Sequence, residues 1–218
     1  MKYLNKEICA GIVLSLGFTG MGATIYNDAG NTAVGNMFSL SSGVTYGNEI
    51  TVASGWTLTQ FSFEYYSVNN STVDVAFYAN TGTANANGFA TPALSAFYNS
   101  GAVSAAAGLN DLTFSQADFG SSLTLPTDFT FTVTFSNFGT SGSVSLPVVA
   151  ATKNVSYGDY WLNNNAGGGW QLLTNSAAPG SFVVDFEGTS SVPEPSVYAL
   201  GAIGSLLLLG ANKLKRKI

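Results

Sequence analysis

Phe129-Thr-Phe-Thr-Val-Thr-Phe135 decides the fold of this chain. Apolar residues and threonines alternate with a period of two. Phe129, Phe131, Val133 and Phe135 fall on one side, and Thr130, Thr132 and Thr134 fall on the other. Successive side chains of an extended strand point to opposite faces, so this is the pattern of an antiparallel strand with one face in a core. The Phe face is expected to be dry and the Thr face wet.

The same alternation recurs outward from that stretch. Phe61, Phe63 and Tyr65 alternate with Ser62, Glu64 and Tyr66; Val73, Val75 and Phe77 with Asp74, Ala76 and Tyr78; Phe182, Val184 and Phe186 with Val183, Asp185 and Glu187. Shorter strand candidates are 33–40, 44–52, 94–98, 109–114, 143–150 and 170–174. Turn residues separate them at Asn80-Thr-Gly82, Asn85-Ala-Asn-Gly88, Asn137-Phe-Gly139, 163–169 and Pro179-Gly180. The run 102–108 is too short to be a helix of useful length. About ten strands between residues 24 and 191 predict an all-β fold, a single antiparallel two-sheet sandwich of jelly-roll type with a core filled by Phe.

Charge is distributed unevenly. Lys2 and Lys6 lie near the start, Lys213, Lys215, Arg216 and Lys217 lie at the end, and Lys153 is the one cation between 24 and 191. Ten acids stand in that segment against one lysine, a net charge of −9. Such a domain is repelled by phosphate backbones, which argues against nucleic-acid binding. The chain has no His, and its single Cys, Cys9, lies in the N-terminal segment. Ser-His-Asp and Cys-His catalysis are therefore excluded, and no disulfide framework can form within the chain. Glycoside hydrolysis by two carboxylates remains chemically open, although no spacing singles out a pair. No cofactor is expected.

Both ends read as addresses. Met1-Lys-Tyr-Leu-Asn-Lys6 is a short positive region, 8–18 is apolar, and Gly20-Met-Gly-Ala23 offers small residues for cleavage. This predicts a secretory leader over 1–23, used by the Sec translocon, and a sandwich domain over 24–191. At the other end, Val192-Pro-Glu-Pro-Ser196 is followed by an uncharged apolar segment, 197–211, and then by the basic cluster. The two prolines bias the elbow toward extended structure. The apolar segment has 15 residues, about 22 Å as a helix and short for a bilayer core of about 30 Å. Snorkelling by Lys213 and Lys215 would extend its reach. Lys213, Lys215, Arg216 and Lys217 are expected to stop translocation and remain cytoplasmic.

The motif Val192, Pro193, Glu194, Pro195, Ser196, with the apolar helix and basic tail behind it, resembles the PEP-CTERM sorting signal of Gram-negative surface proteins; the resemblance covers 192–218. It implies processing near Pro-Glu-Pro by an exosortase, a membrane-embedded enzyme of transpeptidase type. It also implies an inner-membrane precursor that passes to the cell surface or extracellular matrix, in a setting of exopolysaccharide export. The alternative is an ordinary anchor that nothing cleaves. Residues 73–80, Tyr157-Gly-Asp-Tyr-Trp161 and the strand around Phe182 and Phe186 also resemble, more loosely, the lectin-like choice-of-anchor domains that precede such signals.

Within the domain, Tyr157, Tyr160, Trp161 and Trp170 flank an Asn/Gly-rich loop and form a candidate glycan-binding set, because aromatic faces stack on sugar rings while amides bond hydroxyls. The competing reading makes Trp161 and Trp170 core residues that bracket a hairpin loop. Asp159 and Asn163 offer hard oxygen ligands for calcium, without EF-hand spacing. Asn69-Asn-Ser-Thr72 and Asn154-Val-Ser156 are formal sequons that read more simply as turn residues. The leading expectation is a non-enzymatic exported sandwich protein; a carbohydrate-binding module for exopolysaccharide is the second, and a glycan-active enzyme the third.

Overall fold

A computed structural model describes residues 23–27, 37–84, 90–150, 159–164, 169–174 and 181–190. Among the described residues there is no helix. The strands are β1 (Ala23–Asn27), β2 (Met37–Leu40), β3 (Thr45–Thr51), β4 (Trp56–Ser67), β5 (Ser71–Ala79), β6 (Tyr98–Ala105), β7 (Gly108–Ser115), β8 (Leu123–Thr124), β9 (Asp128–Ser136), β10 (Val144–Val149), β11 (Asp159–Asn163), β12 (Gln171–Thr174), β13 (Ser181–Phe182) and β14 (Val184–Ser190). They form two antiparallel sheets. The eight-stranded sheet runs β1-β14-β4-β10-β13, with β2 on β10 and β7 and β8 on β4. The six-stranded sheet runs β12-β11-β3-β9-β5-β6.

The deciding stretch is β9, in the interior of the six-stranded sheet. Phe129, Phe131, Val133 and Phe135 are all fully buried against the other sheet, where Phe61, Phe63, Phe186 and Leu58 meet them. Phe61 stands at the centre. Its ring lies 5.1 Å from Phe77 and 5.8 Å from Phe131 across the gap, and 4.8 Å from Phe186 and 6.1 Å from Phe114 within its own sheet. The first three are tilted or edge-on and the Phe114 pair is stacked at 27° with centroids well offset, geometries that suit aromatic quadrupoles. Along β4 the buried positions change from Leu58 to Phe61, Phe63 and Tyr65 because a bulge skips Thr59, with Glu187 facing Gln60 and Gly188 facing Leu58.

The second face of β9 departs from expectation. Thr130 and Thr132 are buried, at 0% and 1% exposure, and only Thr134 is partly open. The predicted wet face is therefore corrected: it is a covered polar layer. Thr130 donates its hydroxyl to Oδ1 of Asn80 at 2.8 Å, and Thr132 donates to the Ala76 carbonyl at 3.0 Å. Threonine suits such a layer, since it satisfies its own hydroxyl locally while packing a methyl.

The strand candidate at 94–98 is likewise corrected. The chain there is a loop, and β6 begins at Tyr98 and runs through the stretch whose small residues had argued only against a helix. The turn at Asn137-Phe-Gly139 is present, with positive φ at Asn137 (63°) and Gly139 (75°). Asn69 and Asn70 lie in the connection from β4 of one sheet to β5 of the other: Asn69 Nδ2 donates to the Phe138 carbonyl, and Asn70 Oδ1 accepts from the Ala107 amide.

Two residues of β3 tie the architecture together. Asn48 points inward and is fully buried; its Nδ2 donates to the Asp159 carbonyl at 2.7 Å and its Oδ1 accepts from the Phe182 amide at 2.8 Å. One amide thus links β11 of one sheet to β13 of the other. Gly47, on the outer face, pairs with Thr132 of β9 and with Trp161 of β11. A Cβ there would lie 2.5 Å from the Phe131 carbonyl oxygen and 2.8 Å from two threonine methyls. Gly47→Ala should therefore force β3 and β9 apart at about 1–3 kcal/mol, the usual cost of overpacking. Urea unfolding of the variant checks this, and an unchanged midpoint would show that the strands part freely.

Candidate functional site

The site worth building is the outer face of the six-stranded sheet. Directly opposed residues share a face, so the register assembles it. One row runs Glu49–Thr130–Tyr78 and the next Trp161–Gly47–Thr132–Ala76–Asn99. Asp159 shares the outer side of β11 with Trp161, and Asp74 shares that of β5 with Tyr78. Asn80 follows the end of β5, held by its amide to the Asp128 carbonyl at 3.1 Å.

The face is covered over its middle. Trp170 precedes β12, the first strand in the order, yet its ring centroid lies 5.1 Å from that of Tyr78 on β5, the fifth. A contact between strands so far apart in the sheet closes the outer side over β3 and β9. That closure accounts for the burial of Thr130, Thr132 and Trp161. Tyr78 and Trp170 each keep part of their surface in solvent.

Beneath them lies Glu49, only 9% exposed. Burial pushes its carboxyl above the ordinary glutamate range; Asn80 and Trp161 oppose this through hydrogen bonding, while the charges of Asp128 and Asp159 reinforce it. Asn80 Nδ2 and Trp161 Nε1 are buried donors beside the carboxylate, and neither completes a hydrogen bond of good geometry. No lysine or arginine lies among the described residues. An acid buried without a cation is costly, and such groups concentrate at functional sites.

The sequence-predicted residues scatter across this geometry. Trp161 reaches the outer face but is sealed at 1% exposure, beside Glu49 rather than in the aromatic core. Trp170 stands on Tyr78. Tyr160 packs on Phe38 at 4.7 Å and Tyr46 at 6.2 Å, away from the Tyr78–Trp170 contact. The two tryptophans do bracket the β11–β12 hairpin. Tyr157 lies outside the described residues, as do the motif Val192, Pro193, Glu194, Pro195, Ser196 and the basic residues Lys213, Lys215, Arg216 and Lys217. Asp159 and Asn163 are four residues apart on one strand, about 13 Å at strand rise. Their side chains cannot share one calcium ion, whose ligands sit at about 2.3–2.6 Å. Among the described residues no group of three or more acids is placed to hold a metal.

Sequence reasoning missed Glu49, Asn80 and Tyr78. Each sits in an ordinary strand or turn context, and only the cross-strand register brings them together. Glu49 did carry one signal, an acid among the alternating residues of a predicted strand.

Burial disfavours the charged form of several acids in the fold. Burial raises the pKa of Glu49, Glu64, Asp74, Asp159 and Asp185; the neighbouring Asp111 adds to the effect at Glu64, and Glu187 at Asp185. Asp118 alone is lowered, by the Ser115 amide and hydroxyl. A carboxyl with a raised folded pKa binds more protons folded than unfolded, so its contribution is complete below the unfolded value and lost as pH rises through the folded one. The domain should therefore gain stability as pH falls from 7 toward 4.5, the ordinary glutamate value. Asp118 opposes this only below 3.8. Urea midpoints at pH 7.5, 6 and 5 should rise in that order; a steady fall would refute the electrostatic account.

No family model, no curated protein and no solved structure matches this chain.

Proposed function

We propose that this chain is an exported, non-enzymatic β-sandwich protein of a Gram-negative cell envelope, delivered through a leader over 1–23 and a C-terminal sorting signal over 192–218. The observation that carries the reading is the order of the tail: Val192-Pro-Glu-Pro-Ser196, an uncharged apolar segment, then Lys213, Lys215, Arg216 and Lys217. The fold is compatible with such flanks. β1 and β14 are neighbours, Ala23 pairs with Gly188, and the last described strand ends at Ser190. A leader and a tail therefore join the sandwich side by side, at one end of one sheet. The jelly-roll wiring is supported by a chain that crosses between the sheets at most of its connections.

In this reading the precursor sits in the inner membrane, an exosortase-type enzyme processes it near Pro193-Glu194-Pro195, and the sandwich passes to the cell surface or matrix. Intact-mass measurement on protein from the native host tests it: the mature form should lack the C-terminal basic peptide. A native form that keeps Ile218 and stays in the membrane would leave only a tail-anchored sandwich.

A second reading, a carbohydrate-binding module for exopolysaccharide, is favoured by one observation: two partly exposed aromatic rings, Tyr78 and Trp170, in edge-to-face contact on the outer side of the six-stranded sheet.

A further inference from the structure

We propose that Thr130 and Asn80 join through an ester bond, with Glu49 carrying the proton: a covalent clamp between β9 and the end of β5 that the folded chain makes on its own. The clamp is independent of the sorting and carbohydrate-binding readings above.

The reacting groups are already paired. The Thr130 hydroxyl lies 2.8 Å from Oδ1 of Asn80. A carbonyl bond is about 1.23 Å long, so the hydroxyl oxygen stands no more than about 4 Å from the amide carbon. A near-attack separation is about 3–3.5 Å, which a small rotation of either side chain reaches. Glu49 faces Thr130 directly across the β3–β9 ladder, and its carboxyl lies beside the Asn80 amide. Directly opposed side chains stand about 4.5–5.5 Å apart at Cβ, so one carboxylate serves both groups. Asn80 Nδ2, the leaving nitrogen, is buried with no hydrogen bond of good geometry to hold it.

The step exchanges an amide for an ester. The Glu49 carboxylate takes the Thr130 proton, and the hydroxyl oxygen bonds to the amide carbon of Asn80. The C–N bond then breaks, and Nδ2 takes that proton from Glu49 and leaves as ammonia. Glu49 ends as a carboxylate, so no oxidant, metal or second reactant is consumed.

Burial serves the step. Thr130, Asn80 and Glu49 are all buried, so water neither competes as a nucleophile nor hydrolyses the ester. Burial also raises the Glu49 pKa, and a more basic carboxylate is the better proton acceptor. Neighbouring hydroxyls lack the same partners. Thr132 is buried too, but it donates to the Ala76 backbone carbonyl and faces Gly47 rather than an acid. The Asn137–Thr72 pair, at 3.1 Å, stands in water. The only cysteine of the chain is Cys9. The ester would therefore supply the constraint on the unfolded chain that a disulfide supplies elsewhere.

The test is a peptide map of the full-length chain, expressed in a bacterial host, purified in mild detergent and digested with chymotrypsin. A branched peptide joining the Asn80 and Thr130 segments is expected, lighter than the sum of its two arms by one ammonia. Mild alkali should separate the arms and leave a carboxyl in place of the Asn80 amide. Thr130→Val keeps the shape without the hydroxyl and should give only separate arms. Glu49→Gln should leave a folded chain, seen by its cooperative urea transition, with the arms still separate; a merely structural glutamate would not change the map. The proposal is overturned if the folded parent gives only separate arms, if the link resists alkali, or if either variant cross-links as the parent does.

Discussion

Phe61→Ala should cost about 3–5 kcal/mol, the range for truncating a fully buried Phe, and should leave the domain at the edge of unfolding at room temperature. The reason is position. Phe61 is fully buried and touches rings from both sheets: Phe77 and Phe131 opposite, Phe63, Phe114 and Phe186 beside it. Its removal opens a cavity between two sheets whose strands are held by ladders on either side, so neighbours can collapse only partly. Thr132→Ala on the outer face provides the contrast. The side chain is buried and donates to the Ala76 carbonyl, so its loss should cost about 1 kcal/mol, the net worth of one hydrogen bond. Equilibrium urea denaturation of both variants measures the ratio. Equal losses would mean that the outer layer carries as much of the fold as the Phe core, and a negligible loss at Phe61 would sink the proposed packing.

The largest effect is expected at the tail. Replacing Pro193, Glu194 and Pro195 together by Ala should leave essentially all of the protein at full length in the inner membrane. In the proposed sorting reading, each proline fixes φ near −65° and disfavours helix at the residue before it, a bias toward the extended form that a protease threads. Three alanines would instead let the apolar segment continue as helix toward the domain. The sandwich itself should fold unchanged, because its last described strand ends at Ser190, ahead of the motif. Fractionation with intact-mass analysis reads the outcome. Normal release of a shortened form from the triple variant would remove the motif from the processing step. Destabilisation of the domain by the same substitution, seen in its urea midpoint, would show instead that the elbow belongs to the fold.

Some of this protein was legible one strand at a time. The inward residues of β9, β5 and β14, the Phe61–Tyr65 face of β4 and the Asn137 turn all follow from the pleat of an extended chain and from which residues tolerate positive φ. Those are local properties, so a linear reading reaches them. The two-sheet, all-β architecture follows in turn, since many strands with one apolar face must bury those faces against each other. The alternation in β9, however, says only that its two faces differ. Whether the Thr face meets water depends on what lies over it, and that was decided by Trp170 reaching Tyr78 across the sheet. Gly47 matters only because β9 and β11 stand on either side of it. Asn48 is the inward amide that joins β11 to β13, a role set by the strands that meet around it. Glu49, the pair Tyr78 and Asn80, and Trp161 come from three separate stretches of chain. Strand order and register alone place them around one carboxylate, and those arise from long-range pairing that no window of sequence contains.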